Sequence, residues 1–507
     1  MYTHAKFLTL SAVVGSISIA PGFAQSKSKA EKKPMNVLFL VSDDMRTDLS
    51  AYGHATVHSP NLDKLAKQGV LFERAYCQYP LSCPSRTSIL TGQRPTTTGV
   101  YTNYEWFGAT YPDLVSLPKY FRQHGYVALK TGKIFHGTID DTEAWTEGGV
   151  ERAPERANPV NLEPPSYISP ASYYVSLQRR MPKITPGPNP NNDKKALDSD
   201  RWEAVEGAAA KQLGDTKIGD QAIEYIQRCK KTGQPFFIAC GFNKPHSPFI
   251  APKEFFDLYQ LEDIPLPPDF ASLPMIPPGF PEACIATQNS DQFINRNTSP
   301  EEAREYIRGY LACISYVDWN VGRVIAELER QGLRENTIIV FWGDHGYMLS
   351  EKGKWSKHNN LWEQSTRVPF MIYDPRAKGN GKSSPRIVEL LDIYPTLVDL
   401  CGLPPQKGLD GVSLAPLLDN PNKEWNRPAY TVITRGKGIN GVAVRTERWR
   451  YAEFFGVGAG AFLTDPINDP HELRNMIYDP KLKDVVEELH KLAAAHVEGK
   501  TELSAPK

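Results

Sequence analysis

After Asn36 the chain runs Val37-Leu38-Phe39-Leu40-Val41 without a polar break and then turns sharply to Ser42-Asp43-Asp44. A strand with one wet face alternates apolar and polar residues, whereas a strand covered on both faces does not. The run therefore predicts a strand over 36–41 inside a sheet layered between helices. Further apolar strands are expected at Pro235–Ala239, Thr337–Trp342 and Val368–Tyr373. Between them, a helix is expected near Asn61–Gly69 and a long one from about Pro300 to Gly332. In the long one Tyr306, Tyr310, Ile314, Val317, Val321, Val324 and Leu328 recur at a period of ~3.6. Strands alternating with helices predict an α/β architecture with a large, mostly parallel central sheet flanked by helices. Past a polar stretch at Leu418–Pro428, short strands at Thr431–Thr434, Gly441–Arg445 and Trp449–Glu453 precede an amphipathic helix over Lys481–Glu498. These predict a small C-terminal α+β subdomain with a short antiparallel sheet.

The 507 residues suffice for two such parts, expected at 34–420 and 421–507. Lysine plus arginine equals aspartate plus glutamate at 58 each, which argues against a nucleic-acid binder, since those carry a basic excess. The start reads as a secretory signal over residues 1–24: His4 and Lys6, an apolar run from Phe7 to Ala20, then small residues before Gln25. The run is too short to span a bilayer, so a periplasmic or secreted protein is expected. Seven dispersed cysteines make neither a disulfide framework nor a zinc pair; Cys240 and Cys313, in apolar surroundings, read as buried fillers. Two Pro-rich stretches, Ala153–Pro190 and Pro265–Pro281, read as loops covering a site or as surface elaboration.

Chemistry-bearing residues follow the strands. Asp43-Asp44 ends the first, and Asp344-His345 follows the apolar run ending at Trp342. Ligands of open α/β sheets gather beyond such strand ends. Carboxylates without thiolates favour calcium or magnesium over zinc, although either pair alone also reads as capping or surface charge. Lys133 and His136 come after a strand at Tyr126–Leu129, His246 after the strand at Phe236, and Lys357-His358 after the Asp344 motif. The stretch Leu81 to Pro95 reads L-S-C-P-S-R-T-S-I-L-T-G-Q-R-P. It is a polar turn entering a short helix that stops at Gly92, and a helix N-terminus favours developing negative charge.

That stretch resembles the signature of type I, formylglycine-dependent sulfatases: a modified Cys or Ser, one residue, Pro, one residue, Arg, then a helix and Leu-Thr-Gly. Aligning on Pro84 and Arg86 puts Ser82, not Cys83, at the modified position, which makes this a serine-type member. The resemblance implies an alkaline-phosphatase-like fold, one calcium ion held by Asp43, Asp44, Asp344, His345 and the modified Ser82, and a radical maturase acting on Ser82. It implies that Lys133 and Lys357 bind sulfate oxygens and that His136 supports the formylglycine. It makes His246 a candidate general acid, and it has Arg86 steady the modified residue. His345 is a softer ligand, so contact with the nucleophile or sulfate is the alternative role.

Asp43-Asp44-Met45-Arg46, Gly132-Lys133-Ile134-Phe135-His136-Gly137, Lys244-Pro245-His246-Ser247-Pro248-Phe249 and Lys354-Trp355-Ser356-Lys357 are most similar to the branch containing iduronate-2-sulfatase and its bacterial relatives. A sulfated oligosaccharide, such as a 2-O-sulfated uronate, is the implied substrate. A marine polysaccharide such as ulvan or carrageenan is the alternative. A phosphatase or phosphonate hydrolase of the same superfamily is a further one. Asn103, Tyr104 and Trp106 read either as a sugar-contacting surface or as packing.

Overall fold

The computed structural model describes residues 33–150, 200–294, 296–435 and 438–498. The expected signal segment and the Ala153–Pro190 loop lie outside the described residues. Its strands are β1 (Asn36–Asp43), β2 (Val70–Tyr76), β3 (Val127–Gly132), β4 (Trp202–Val205), β5 (Phe236–Pro245), β6 (Phe249–Pro252), β7 (Thr337–Gly343), β8 (Arg367–Val368), β9 (Phe370–Tyr373), β10 (Lys382–Glu389), β11 (Ala429–Thr434), β12 (Ile439–Arg445), β13 (Arg450–Phe454) and β14 (Gly460–Thr464). The large sheet has eight strands in the order β10-β2-β9-β7-β1-β5-β3, with β8 paired to β2. β1 lies inside it, parallel to both β5 and β7, and all its residues are buried. The sheet is mostly parallel as expected, with β9 antiparallel to β2 and β7.

Period-two alternation sorts the strands' side chains onto two cores. Leu38, Leu40, Ile238, Cys240, Ile339 and Phe341 face the long helix Pro300–Arg330 and the helix Gly214–Thr232. Val37, Phe39, Val41, Phe237, Ala239, Val340 and Trp342 face the other layer, which includes Ile89, Leu90 and Leu397. The long helix starts where a capping box dictates: Ser299 accepts from the Glu302 N–H, Glu302 accepts from the Ser299 N–H, and Pro300 occupies the first turn.

The run read as one strand over Val368–Tyr373 is split by Pro369, which has no N–H to give a ladder. The C-terminal sheet is antiparallel, in the order β11-β12-β13-β14. One face (Ile433, Ala443, Ala452, Phe454, Phe462) packs on Met348, Leu361 and Trp362, with the Trp362 and Phe462 rings stacked at 4.7 Å. The other face (Val432, Val442, Val444, Leu463) is covered by Leu489, Ala493 and Val497 of the helix Lys483–Val497. All seven cysteines are free, and Cys240 and Cys313 are buried. No helix among the described residues is long and apolar enough to cross a membrane.

Candidate active site

The parallel register of β1 with β5 and β7 brings their C-terminal ends together, and the residues picked out by sequence converge there. Asp43 is the last residue of β1. Asp44 follows with φ of 62°, a left-handed conformation that aspartate tolerates better than most residues. Its backbone is pinned on both sides: its N–H donates to Asp344 Oδ1 at 3.0 Å, and its carbonyl accepts from the Tyr310 hydroxyl at 2.7 Å. Ligand atoms of Asp43, Asp44, Asp344 and His345 all lie within 4.8 Å of one another, and all four residues are buried.

The helix Ser82–Thr91 aims its N-terminus at this cluster and ends at Gly92, which has φ of 66°. The Ser82 hydroxyl donates to Asp43 Oδ1 at 3.0 Å and lies 3.0 Å from His345 Nε2 and 3.3 Å from Lys133 Nζ. Cys83 points elsewhere: its thiol meets the Glu105 carbonyl at 3.3 Å, and burial pushes its pKa up to about 12. The Cys83 N–H, left over at the helix start, donates to Asn103 Oδ1 at 3.0 Å. Asn103 thus braces the helix, Trp106 packs against the core, and Tyr104 stands 72% exposed.

Three cations balance the three carboxylates. Arg86 is fully buried and donates to Asp344 Oδ2 at 2.8 Å, to Asp43 Oδ1 at 3.3 Å and to the Ile134 carbonyl at 2.9 Å. Lys133 Nζ donates to Asp43 Oδ2, and Lys357 Nζ to Asp44 Oδ2 at 2.8 Å. Burial alone raises the Asp43 carboxyl, but Lys133, His246 and Arg86 outweigh it and hold it well below the usual carboxylate range. For Lys357, burial works against the charge, and Asp44, Asp291 and Asp43 more than restore it.

The histidines differ in surroundings. The His345 Nδ1 lies 3.0 Å from the Gly346 carbonyl, so a proton held there leaves Nε2 as a lone pair facing the cluster. The His246 Nδ1 meets the Ser247 carbonyl at 2.6 Å, leaving Nε2 at 3.9 Å from Asp44 Oδ2. Its segment is held by Asp215, which accepts from the backbone N–H groups of Asn243 (3.0 Å) and Lys244 (2.9 Å). Desolvation lowers the His246 pKa, with Lys357 and Lys133 adding to it, though a side chain 38% exposed lets solvent temper the shift. Burial, then Lys133, hold His136 well below the usual range, and its Nδ1 is buried with no hydrogen-bond partner.

The donor set fits a hard divalent cation. It offers three carboxylates and an imidazole lone pair, and the buried Asp44 Oδ1 has no hydrogen-bond partner among the described residues. The sequence reading missed Asp291. Its carboxylate lies 3.4 Å from His358 Nε2 and 4.0 Å from Lys357 Nζ. His358 and Lys357 outweigh its burial and hold its pKa far below the ordinary value. Nothing in its spacing marks it: it follows the Pro265–Pro281 stretch in irregular chain. That stretch itself lies against the loop after the Asp344 motif, Met275 N–H donating to the Lys352 carbonyl at 2.9 Å and Lys352 Nζ to Asp269 at 2.9 Å.

A family model described as Sulfatase matches residues 35–403. A second, described as N-sulphoglucosamine sulphohydrolase, C-terminal, matches residues 350–498. The chain is 34% identical over 480 residues to a Formosa agariphila protein named Sulfatase, covering 92% of this chain and 87% of that protein. It is 32% identical over 437 residues to Homo sapiens iduronate 2-sulfatase, covering 79% and 75%. A solved structure of a protein in complex with its substrate, D-glucosamine-2-N,6-O-disulfate, matches with a TM-score of 0.69 at 22% identity, covering 92% of this chain and 98% of that one. At that identity the likeness speaks for the fold.

Proposed function

Since the chain belongs to the sulfatase family, sulfuric ester hydrolases on an alkaline-phosphatase-like fold, we propose that it is an exported enzyme removing O-sulfate from sulfated glycans, with 2-O-sulfated uronates as the substrate class. The reading takes Ser82 as the site of formylglycine, installed by a serine-type radical maturase. It takes calcium as the ion, held by Asp43, Asp44, Asp344 and His345 beside the modified Ser82. The observation that carries it is the placement of the Ser82 hydroxyl 3.0 Å from both Asp43 Oδ1 and His345 Nε2, inside a ring of Lys133, Lys357 and Arg86. Identity to human iduronate 2-sulfatase supports the uronate. The apolar run and small residues before Gln25 support export. The same reading divides the chain into a catalytic part, 34–420, holding the large sheet, and a C-terminal part, 421–507, holding the small one.

The residues have work to do at each stage. A sulfate monoester spreads negative charge over its oxygens, and Lys133, 3.3 Å from the Ser82 hydroxyl, and Lys357, 2.8 Å from Asp44, offer ammonium groups to hold them. His246, with Nε2 3.9 Å from Asp44 Oδ2 and a side chain 38% exposed, is reachable from solvent and, when protonated, can give a proton to a leaving alcohol. Buried His136, kept neutral, can take a proton near the modified residue. Arg86 fixes the angle between the helix and both acidic strand ends. When present, formylglycine supplies a hydrated aldehyde whose second hydroxyl lets sulfate be expelled, and the cation supplies charge that lowers the pKa of the attacking hydroxyl.

The test is sulfate release from a 2-O-sulfated uronate disaccharide by protein co-expressed with a serine-type maturase. The peptide Ala75 to Arg86 should be lighter by the two hydrogens lost on oxidation. Ser82→Ala should retain disaccharide binding and lose turnover; full activity in that variant would remove the formylglycine assignment.

A further inference from the structure

Arg435, directly after β11, is a cation with no ion-pair partner among the described residues. One terminal nitrogen donates to the backbone carbonyls of Ala283 at 2.7 Å and Asn359 at 2.8 Å. Its Nε is buried with no hydrogen-bond partner among the described residues. Burial is what lowers its pKa, and among the described residues no carboxylate pairs with it. A guanidinium taken out of water against two carbonyls and the Phe454 ring, 5.9 Å from its carbon, leaves much of its desolvation unreturned. Such a group is a ready ligand for an anion that comes later.

The space for one is present. Arg435 lines a cavity of about 400 Å³ together with Ile276, Glu282, residues 285–288 and Val457. Lys354 supports the same loop, donating to the carbonyls of Ala286 at 3.0 Å and Gln288, and its pKa is lowered to about 8 by burial, with Arg435 adding to the effect. Two cations thus meet this wall through carbonyl bonds. Glu282 makes no ion pair with Arg435 among the described residues; on a glycan-binding wall a carboxylate accepts sugar hydroxyls.

The cavity is tied to the candidate active site by one short stretch. Lys357 places its ammonium 2.8 Å from Asp44 Oδ2, and two residues on the Asn359 carbonyl holds Arg435. At ~3.5 Å of chain per residue, plus the lysine and arginine side chains, the guanidinium lies within roughly 20 Å of the Asp44 carboxylate. That figure is the span of a fully extended stretch, and any fold of the chain between Lys357 and Asn359 brings the two groups closer.

We propose that this cavity is a subsite for an anionic group, sulfate or carboxylate, on a sugar adjoining the one that bears the scissile ester, with Arg435 as its ligand. The inference rests on the glycan-sulfatase reading above and adds a specificity residue from the C-terminal sheet. A bidentate guanidinium suits either anion.

The test compares mature wild type with Arg435→Gln, which keeps an N–H donor for the two carbonyls and removes the charge. Three substrates are used: a 2-O-sulfated uronate disaccharide whose amino sugar is 6-O-sulfated, the same disaccharide without the 6-sulfate, and 4-nitrophenyl sulfate. Expected is a KM about ten- to a hundredfold higher for the doubly sulfated disaccharide, the range for hydrogen bonds to charged groups. The kcat, and both constants for 4-nitrophenyl sulfate, should hold. An equal rise for both disaccharides, which share the carboxylate of the uronate that bears the scissile ester, overturns the subsite on the adjoining sugar. A parallel loss on all three substrates, or no change on any, overturns the subsite while leaving the glycan reading intact. Wild type that hydrolyses 4-nitrophenyl sulfate and neither disaccharide overturns both.

Discussion

Arg450→Met would strip the charge from a buried ionic knot that joins the small sheet to the segment after the candidate site. Arg450, in β13, is 1% exposed. It donates to Glu363 Oε2 and to the Leu361 carbonyl at 2.7 Å, and its Nε lies 3.1 Å from Glu472 Oε1. Glu363 also accepts from the Tyr76 hydroxyl at 2.7 Å, and Glu472 from the Glu363 N–H at 2.9 Å. Methionine refills the apolar stem but leaves both carboxylates buried, with Arg445 at 3.5 Å and the more distant Arg367 the cations remaining near Glu363. Removing one partner of a buried pair costs about 3–5 kcal/mol. With Arg445 still in place, the lower end, about 3 kcal/mol, is expected, a large part of the ~5–15 kcal/mol that holds a folded protein together. The pH dependence follows from Glu363. Burial opposes its charge, and Arg450, then Arg445, outweigh burial and hold its pKa far below the ordinary 4.5 of a glutamate. A depressed carboxylate stabilises the fold above its unfolded pKa, and that contribution is lost as pH falls toward the folded value. The deficit of Arg450→Met should therefore be full at about pH 7.5 and shrink as pH drops below about 4.5. Urea midpoints for wild type, Arg450→Met and Arg450→Met/Glu363→Gln measure it, and the double variant should regain part of the loss. A deficit under about 1 kcal/mol at neutral pH, or one that ignores pH, would refute the reasoning.

Asp291→Asn should lower kcat/KM for 4-nitrophenyl sulfate about tenfold, because Lys357 and His358 lose the anion that holds their charge toward the site; unchanged kinetics would remove Asp291 from the site. Asp318, on the long helix, accepts from the Leu62 N–H at 2.7 Å and from Asn61, and burial raises its pKa to about 6. The native state then binds more protons than the unfolded chain between about 3.8 and 6, so Asp318 loses stability for the fold as pH rises through that window. Against Asp318→Asn, the wild type should lose roughly 2–3 kcal/mol of relative stability from about pH 4 to pH 7, and parallel urea curves would contradict this. Dialysis against a chelator should lower both the melting temperature and turnover, with calcium restoring them; restoration by zinc and not by calcium would reverse the ion assignment.

The parts of this molecule that were legible in its sequence are those where local pattern and burial coincide. β1 and β7 read as unbroken apolar runs because both faces of the central sheet are covered, and the acidic residues stand out where the runs stop. The long helix was legible from its period. β2 and β10 were not: Glu73, Arg74 and the polar, Pro-containing stretch Lys382–Glu389 belong to the flank of the sheet, where the pattern relaxes. The serine at the helix start was legible through its spacing from Pro84 and Arg86. Asp291 and Arg435 were not, because each owes its position to contacts between segments distant in sequence. Asp291 meets Lys357 and His358, and Arg435 meets Ala283 and Asn359, and no local spacing encodes either meeting.

The left-handed turn at Asp44 bears on how such a site can be copied. Consecutive residues of a continuing strand present their side chains to opposite faces. The pair Asp43-Asp44 serves a single cluster because the chain leaves strand geometry between the two. A designer who grafted the dipeptide onto a regular strand of another scaffold would transplant both letters and lose their convergence. The portable unit is the kink together with its two anchors, the Tyr310 hydroxyl and the Asp344 carboxylate, which come from two other segments and cannot travel with the pair.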